Sequence, residues 1–291
     1  MTEFTTPEPI ELSVELAAGT VDITTTSAER TTVELSPARP DDADALALID
    51  RARVALDGGT LVVHVPAGRL GGLLRRTPEI DVRITAPEGS TLRAATKSAD
   101  VDVHGRLADA RVATASGDVA LADVNGELSV DAASGDVHVG TIGGSARAKT
   151  ASGDISIDAC AGDVRVQTAS GDMRVGHVGG DVEAKTASGD VFADAVGGSA
   201  AVRTASGDVR LGGLGAGRSD INSVSGDVTL RVLPDLAVWL DVSSLSGEVR
   251  SSLDSADDGG SASTEALELA VRTVSGNITI APMRGATRTA P

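Results

Sequence analysis

Apolar and polar positions alternate along most of the chain in short runs. In one such run Val164, Val166 and Thr168 alternate with Arg165 and Gln167. A period of two residues is typical of β-strands that bury one face, and no stripe at helical spacing fits these runs. The pattern predicts many short strands that are separated by turns.

A Ser-Gly-Asp tripeptide interrupts the alternation at a fixed interval. Six consecutive intervals of 18 residues separate Ser98, which opens a Ser-Ala-Asp variant, from Ser206. A second glycine-rich corner, such as Gly179-Gly180, breaks the alternation again within each repeat. Glycine supplies the backbone conformations that tight turns need, so each repeat reads as strand, corner, strand, corner. The chain is therefore predicted to be all-β, a β-solenoid (β-helix) with an 18-residue coil and two short strands per coil.

The repeats have irregular flanks within one continuous predicted domain. Residues 1–95 are predicted to form a β-rich leading segment and an N-terminal cap, with a small helix at about 42–52 that carries Leu46 and Ile49 on one face. Residues 96–212 form the regular solenoid repeats. Residues 213–283 form irregular C-terminal coils and a second cap, and residues 284–291 a disordered tail.

The composition agrees with a narrow interior and excludes several classes of protein. Aromatic residues make up 1% of the 291 residues, and small side chains fill the inward columns. The net charge of −17 opposes binding to nucleic acid. The single cysteine, Cys160, excludes an intramolecular disulfide.

With no basic and apolar leader and no apolar run of membrane-spanning length, we expect no transmembrane segment and a cytoplasmic location. The alternatives are a place at the membrane periphery, or export by a route that needs no visible signal.

The repeated motif resembles a known family. The repeated Thr-Ala-Ser-Gly-Asp-Val, which ends in Thr273-Val-Ser-Gly-Asn-Ile-Thr-Ile280, is similar to the bacterial putative-adhesin domain of unknown function built from β-strand repeats. The resemblance covers roughly residues 10–283. It implies a β-solenoid, an adhesin-like role and no established enzymatic activity.

One aspartate follows each Ser-Gly pair, and stacking places these aspartates in one column. The column contains Asp118, Asp136, Asp154, Asp172, Asp190, Asp208 and Asp227. Neighbouring carboxylates about 4.8 Å apart repel by roughly 1 kcal/mol in water, so something must offset the repulsion. One hypothesis is a Ca²⁺ ladder of β-roll type, because Ca²⁺ prefers carboxylate oxygens. The other is that the carboxylates accept hydrogen bonds from N–H groups at the corners.

Two further groups of residues are candidates for contact with a ligand. A cationic stripe on outward positions is predicted to hold an anionic glycan or lipid, or to balance the corner aspartates: Arg111, Arg147, Lys149, Arg165, Lys185 and Arg203. A basic, apolar and glycine-rich loop is a candidate for membrane contact, with the packing of its leucines on the cap as the alternative: Arg69, Leu70, Leu73, Leu74, Arg75 and Arg76.

No set of residues has the composition of a catalytic site. The four histidines fall in different columns, so they cannot stack into a metal pair or supply a triad. The serines of the corner motif have no histidine in register that could act as a base. The sequence therefore predicts a non-enzymatic binding or scaffold protein without a cofactor, apart from the Ca²⁺ of the alternative. The expected partner is a protein or an anionic glycan or lipid surface, and the expected state is a monomer or small oligomer.

Overall fold

The computed structural model describes residues 1–67, 77–234, 236–253 and 266–283. The chain divides into two units, Met1–Gly153 and Asp154–Pro291. The predicted membrane-contact loop, Arg69–Arg76, and the predicted tail, residues 284–291, lie outside the described residues. No helix in the described part of the chain has the length and apolar character of a membrane span.

The first unit contains one helix and eleven of the strands. They are β1 (Thr2–Thr5), β2 (Glu11–Thr26), β3 (Arg30–Pro37), α1 (Ala43–Ile49), β4 (Arg53–Asp57), β5 (Thr60–His64), β6 (Ile80–Pro87), β7 (Ser90–Thr114), β8 (Val119–Val124), β9 (Leu128–Ala132), β10 (Val137–Ile142) and β11 (Ala146–Lys149). In its regular part β8 pairs in parallel with β10 and β9 with β11, so that Val119 faces Val137, 18 residues later.

The first unit ends in antiparallel strands at its N-terminal side. There β1 pairs with β3, β3 with β6, and β4 with β5, while β5 and β6 join the parallel ladder of β2. The Asp42 side chain accepts a hydrogen bond from the N–H of Ala45 and so caps α1. The helix buries Ala45 and Leu48, whereas the expected face included Leu46, which is 46% exposed. The seven-residue helix offers only a narrow apolar face, and Ala45 and Leu48 lie three residues apart on it.

The second unit consists of strands alone in the described residues. They are β12 (Ile155–Cys160), β13 (Val164–Gln167), β14 (Met173–Val178), β15 (Val182–Ser188), β16 (Val191–Val196), β17 (Ala200–Ser206), β18 (Val209–Leu214), β19 (Gly217–Ser225), β20 (Val228–Val232), β21 (Ala237–Ser246), β22 (Val249–Ser251), β23 (Ala266–Ser275) and β24 (Ile278–Pro282).

Two parallel ladders run through the second unit. The even-numbered strands from β12 to β20 pair in succession and then reach β24. The odd-numbered strands from β13 to β19 pair in succession and then reach β23. Each coil therefore gives one short strand to each ladder, and the predicted β-solenoid is confirmed.

Columns of aliphatic side chains fill the interior. Ile155, Met173, Val191 and Val209 occupy one column with at most 2% exposure, one residue from each successive coil. Threonines stand two residues before most of the corner serines, where they point inward and are also buried, as Thr168 shows with 4% exposure. The interior is therefore a stack of small aliphatic layers with a hydroxyl at one corner.

Candidate functional site

The corner aspartates form a hydrogen-bonded ladder in each unit. In the second unit the Oδ1 atom of Asp172 accepts the backbone N–H of Asp190 at 2.8 Å, and Asp190 accepts that of Asp208 at 2.8 Å. The same bond recurs from Asp118 to Asp100, Asp136 to Asp118, Asp172 to Asp154, Asp227 to Asp208 and Asn277 to Asp227, at 2.8–2.9 Å. Each bond satisfies a corner N–H that the strand ladders do not use.

The glycine of the corner motif permits this close stacking. Gly189 has a φ of +147°, and a Cβ atom built on it would lie 2.0 Å from the carbonyl oxygen of Gly171 in the previous coil. A side chain cannot occupy that space without moving the backbone. Glycine therefore lets successive corners approach until each aspartate reaches the next N–H.

The Ca²⁺ ladder stays a prediction. In the described ranges no three His, Cys, Asp or Glu side chains converge in a way that could hold a metal ion. Each corner carboxylate keeps an oxygen besides the Oδ1 that accepts the backbone N–H, and neighbouring carboxylates still repel one another.

The first unit holds three residues of the predicted cationic stripe. Arg111, Arg147 and Lys149 are all exposed on the outward face. Ser129 lies opposite both Arg111 and Arg147 in the parallel ladder, and Asp131 lies opposite Lys149. An acid therefore neighbours one of the three cations.

The other three residues of the stripe lie on neighbouring strands of the second unit. Arg165 lies opposite Glu183, and Lys185 lies directly opposite Arg203. Glu183 contacts the Lys185 ammonium and lies 3.5 Å from the Arg165 guanidinium. The hydrogen bond and charge of Lys185, followed by the charges of Arg165 and Arg203, hold the pKa of Glu183 below its usual value. This cluster of three cations and one carboxylate is called the cationic face here.

Strands β14, β16 and β18 carry a stack of two arginines and a phenylalanine that the sequence did not lead us to expect. Arg174 and Arg210 lie on either side of Phe192, with their guanidinium carbons 5.2 and 5.3 Å from the ring centre. These are cation–π contacts. The 18-residue interval could have revealed them, because the three residues share one column. Arg210 also donates to Asp208 at 2.7 Å, which ties this column to the corner ladder.

Comparisons with known proteins give a family and several distant structures. The chain is similar to a putative lipid binding protein from Parabacteroides distasonis, with 12% identity, coverage of 97% of this chain and 96% of the other, and a TM-score of 0.35. It is also similar to a putative adhesin from Parabacteroides merdae, with 10% identity, coverage of 97% and 95%, and a TM-score of 0.35. No curated protein matches the chain.

The family comparison covers most of the sequence. The model of the Toastrack DUF4097 family matches twice, over residues 15–179 and over residues 159–281. Because these matches together take in well over half of the chain, the protein belongs to the Toastrack DUF4097 family, a domain of unknown function.

Proposed function

We propose that the protein is a non-enzymatic binding module that holds an acidic glycan on the cationic face of its second unit. The observation that carries the proposal is the register of this face. Lys185 and Arg203 lie directly opposite each other on adjacent strands, and Arg165 lies on the strand before that of Lys185. Cations repeat along the stack at the spacing of the strands, about 4.8 Å or a multiple of it.

The shape of this surface favours an extended ligand over a small molecule. The groove beside Arg165 and Glu183 has a volume of about 170 Å³. Pockets for small molecules usually hold about 300–1,000 Å³. Asp163 and Asp181 also line this groove and would repel a small anion inside it. A linear polyanion that runs along the outward side chains avoids the groove and meets several cations in succession.

The overall charge of −17 does not prevent local binding. At 25 mM salt the Debye length is about 20 Å, so acids farther than that from the face contribute little to its potential. The carboxylate that weakens the face most is Glu183, which contacts Lys185 and Arg165. A glutamate is ionised at neutral pH, and the lowered pKa of Glu183 favours that state further.

Binding of the full chain to immobilised polygalacturonate, with neutral dextran as the reference surface, tests the proposal. We expect binding at 25 mM NaCl that falls steeply at 300 mM. The double variant Lys185→Gln with Arg203→Gln should weaken binding about tenfold, while Glu183→Gln should strengthen it several-fold. The matched control, Arg30→Gln with Arg53→Gln, removes two cations from β3 and β4 and should leave binding unchanged.

Three results would contradict the proposal. They are the absence of binding at 25 mM NaCl, an equal loss of binding in the control variant, and weaker binding by Glu183→Gln. Saturable release of reducing ends from polygalacturonate would show instead that the module is an enzyme.

A further inference from the structure

The strands at the C-terminal side of the second unit do not stack in chain order. β23 pairs with β19 on one side and with β21 on the other. β24 pairs with β20 and with β22. The coil made of β21 and β22 is therefore the outermost one, although it precedes β23 and β24 in the chain. In the ranges that the structure describes, β21 pairs with one strand of an adjacent coil, β23. The other edge of β21 is therefore open.

Large apolar side chains are exposed on this outermost coil. Trp239 and Leu245 point outward and are 72% and 83% exposed. Leu240 and Val249 point inward, in register with the buried Leu269 and Ile278, yet they are 43% and 44% exposed. Exposed apolar side chains clustered on one open edge indicate a surface that another molecule covers.

The open edge lacks the features that keep strand edges apart. Asp241 is the one charged residue among the ten residues of β21, which contains neither lysine nor proline. By contrast, β4 at the other end of the chain begins at Arg53 and ends at Asp57. Charged side chains and proline are what usually protect an edge from pairing with another chain.

Two undescribed segments adjoin the C-terminal strands in sequence, and both are poor candidates to cover this edge. Residues 254–265 and 284–291 contain no Val, Leu, Ile, Met, Phe, Tyr or Trp. They cannot supply apolar partners for Trp239 and Leu245. A second copy of the chain can supply both.

We propose that β21 pairs with β21 of a second copy, antiparallel and around a twofold axis at Val242. With the outward faces of both strands on the same side, this register places each Trp239 across from Leu245 of the other copy. The aromatic–aliphatic pair forms twice, which is the kind of cross-strand contact that stabilises antiparallel sheets.

Neighbouring registers that keep the faces aligned are worse. A twofold axis at Asp241 would place the two Asp241 carboxylates opposite each other. An axis at Ser243 would place Asp241 across from Leu245. The axis at Val242 pairs Asp241 with Ser243, so it alone of the three joins the apolar side chains and leaves the carboxylates apart. Because a twofold interface uses the same surface on both copies, assembly stops at a dimer.

Sedimentation velocity of the full chain over a range of concentrations tests the dimer. We expect a monomer–dimer equilibrium that shifts toward the dimer as NaCl rises from 25 to 300 mM, because each copy carries a charge of −17. Glycan binding should change with salt in the opposite direction, so failure of either proposal can be recognised separately.

Two charge variants test the register. Trp239→Glu and Leu245→Lys should each raise the dissociation constant at least about tenfold. An equimolar mixture should dimerise again, since one Glu–Lys pair and one native Leu–Trp pair form in the mixed dimer. Val224→Lys is the matched control, because Val224 is also an exposed apolar residue just before a corner serine, but on β19, which is paired on both edges.

Several outcomes would overturn the inference. A full chain that stays monomeric at 100 µM, or that forms open-ended polymers, excludes the closed dimer. Equal weakening by Val224→Lys would point to general surface apolarity instead of the edge. If the folded charge variants fail to pair when mixed, the register at Val242 is wrong, and far-UV circular dichroism confirms that each variant is folded.

Discussion

Replacement of Asp172 separates the two explanations of the corner column. Its Oδ1 atom accepts the N–H of Asp190 at 2.8 Å, and its own N–H donates to Asp154 at 2.8 Å. Asparagine can accept the same bond, as the chain itself shows, since Oδ1 of Asn277 accepts the N–H of Glu248 at 3.0 Å. Alanine offers no acceptor. We therefore expect Asp172→Asn to preserve the ladder and Asp172→Ala to interrupt it.

The expected magnitudes follow from one hydrogen bond and one charge. Both variants remove the carboxylate charge, so the difference between them isolates the acceptor, which contributes about 1 kcal/mol to the free energy of unfolding. The difference between Asp172→Asn and the wild type isolates the charge. Carboxylates about 4.8 Å apart repel by about 1 kcal/mol at the dielectric constant of water and by more near a protein surface. Asp172→Asn should therefore be at least as stable as the wild type, and Asp172→Ala less stable than Asp172→Asn.

Urea unfolding followed by far-UV circular dichroism measures these differences, first in chelator and then in 5 mM Ca²⁺. For a chain of this size, 1 kcal/mol corresponds to about 2–4 °C in the melting temperature, which gives a second measurement. If Ca²⁺ stabilises the wild type strongly and Asp172→Asn abolishes that effect, the column binds Ca²⁺ and the reasoning from hydrogen bonds is refuted. Equal stability of the Asn and Ala variants would show that the bond contributes nothing.

Four further substitutions test other parts of the coil. Gly189→Ala should lower the free energy of unfolding, measured by urea titration, by about 3 kcal/mol or more, because Gly189 has a φ of +147° and an added Cβ would lie 2.0 Å from a carbonyl oxygen. Thr204→Val should add about 1 kcal/mol to the free energy of unfolding, since the Thr204 hydroxyl is buried without a hydrogen-bond partner in the described structure. Thr168→Val should lower the free energy of unfolding, because the Thr168 hydroxyl donates to the carbonyl oxygen of Ser170 at 3.1 Å. Burial, and then the charge of Asp100, raise the pKa of Asp102, so its ionised form is disfavoured in the fold. Asp102→Asn should therefore stabilise the protein at pH 7, and urea titrations at lower pH should show this gain disappearing below about pH 4.

Most of the repeat architecture could be predicted because it follows from local patterns, the alternation of apolar and polar residues and the 18-residue interval. Alternation determines which side chains point inward, so the column of Ile155, Met173 and Val191 was visible from the 18-residue interval alone. The candidate cations of the second unit were found in the same way. The carboxylate that lies between them was not recognised as their partner, since Glu183 contacts Lys185 within its strand and Arg165 across strands. Those contacts depend on the side-chain conformations that long residues adopt.

The strand order at the C-terminal side could not be predicted from alternation. Ser246 and Ser275 both end a strand with a similar inward pattern, so either strand could follow β19 in the stack. Pairing between distant segments is decided by non-local contacts, which a repeat interval does not reveal. Opposite charges on β19, β23 and β21 are consistent with the observed strand order. Glu268 of β23 bonds Arg218 of β19 at 3.0 Å, and Arg272 of β23 bonds Asp241 of β21 at 2.7 Å.

The strand order itself supports an interface at the open edge. If the coils stacked in chain order, β23 would be outermost and would present Glu268 and Arg272 on its outward face, as a protected edge does. The observed order buries β23, whose Leu267, Leu269 and Val271 are fully buried, and leaves Trp239 and Leu245 at the edge. Thus β23, whose charged side chains would discourage pairing with another chain, lies between two strands, and β21, which has one charged residue, lies at the edge. Full burial of the three aliphatic residues of β23 stabilises the fold, and the apolar edge that results is left for a second copy to cover.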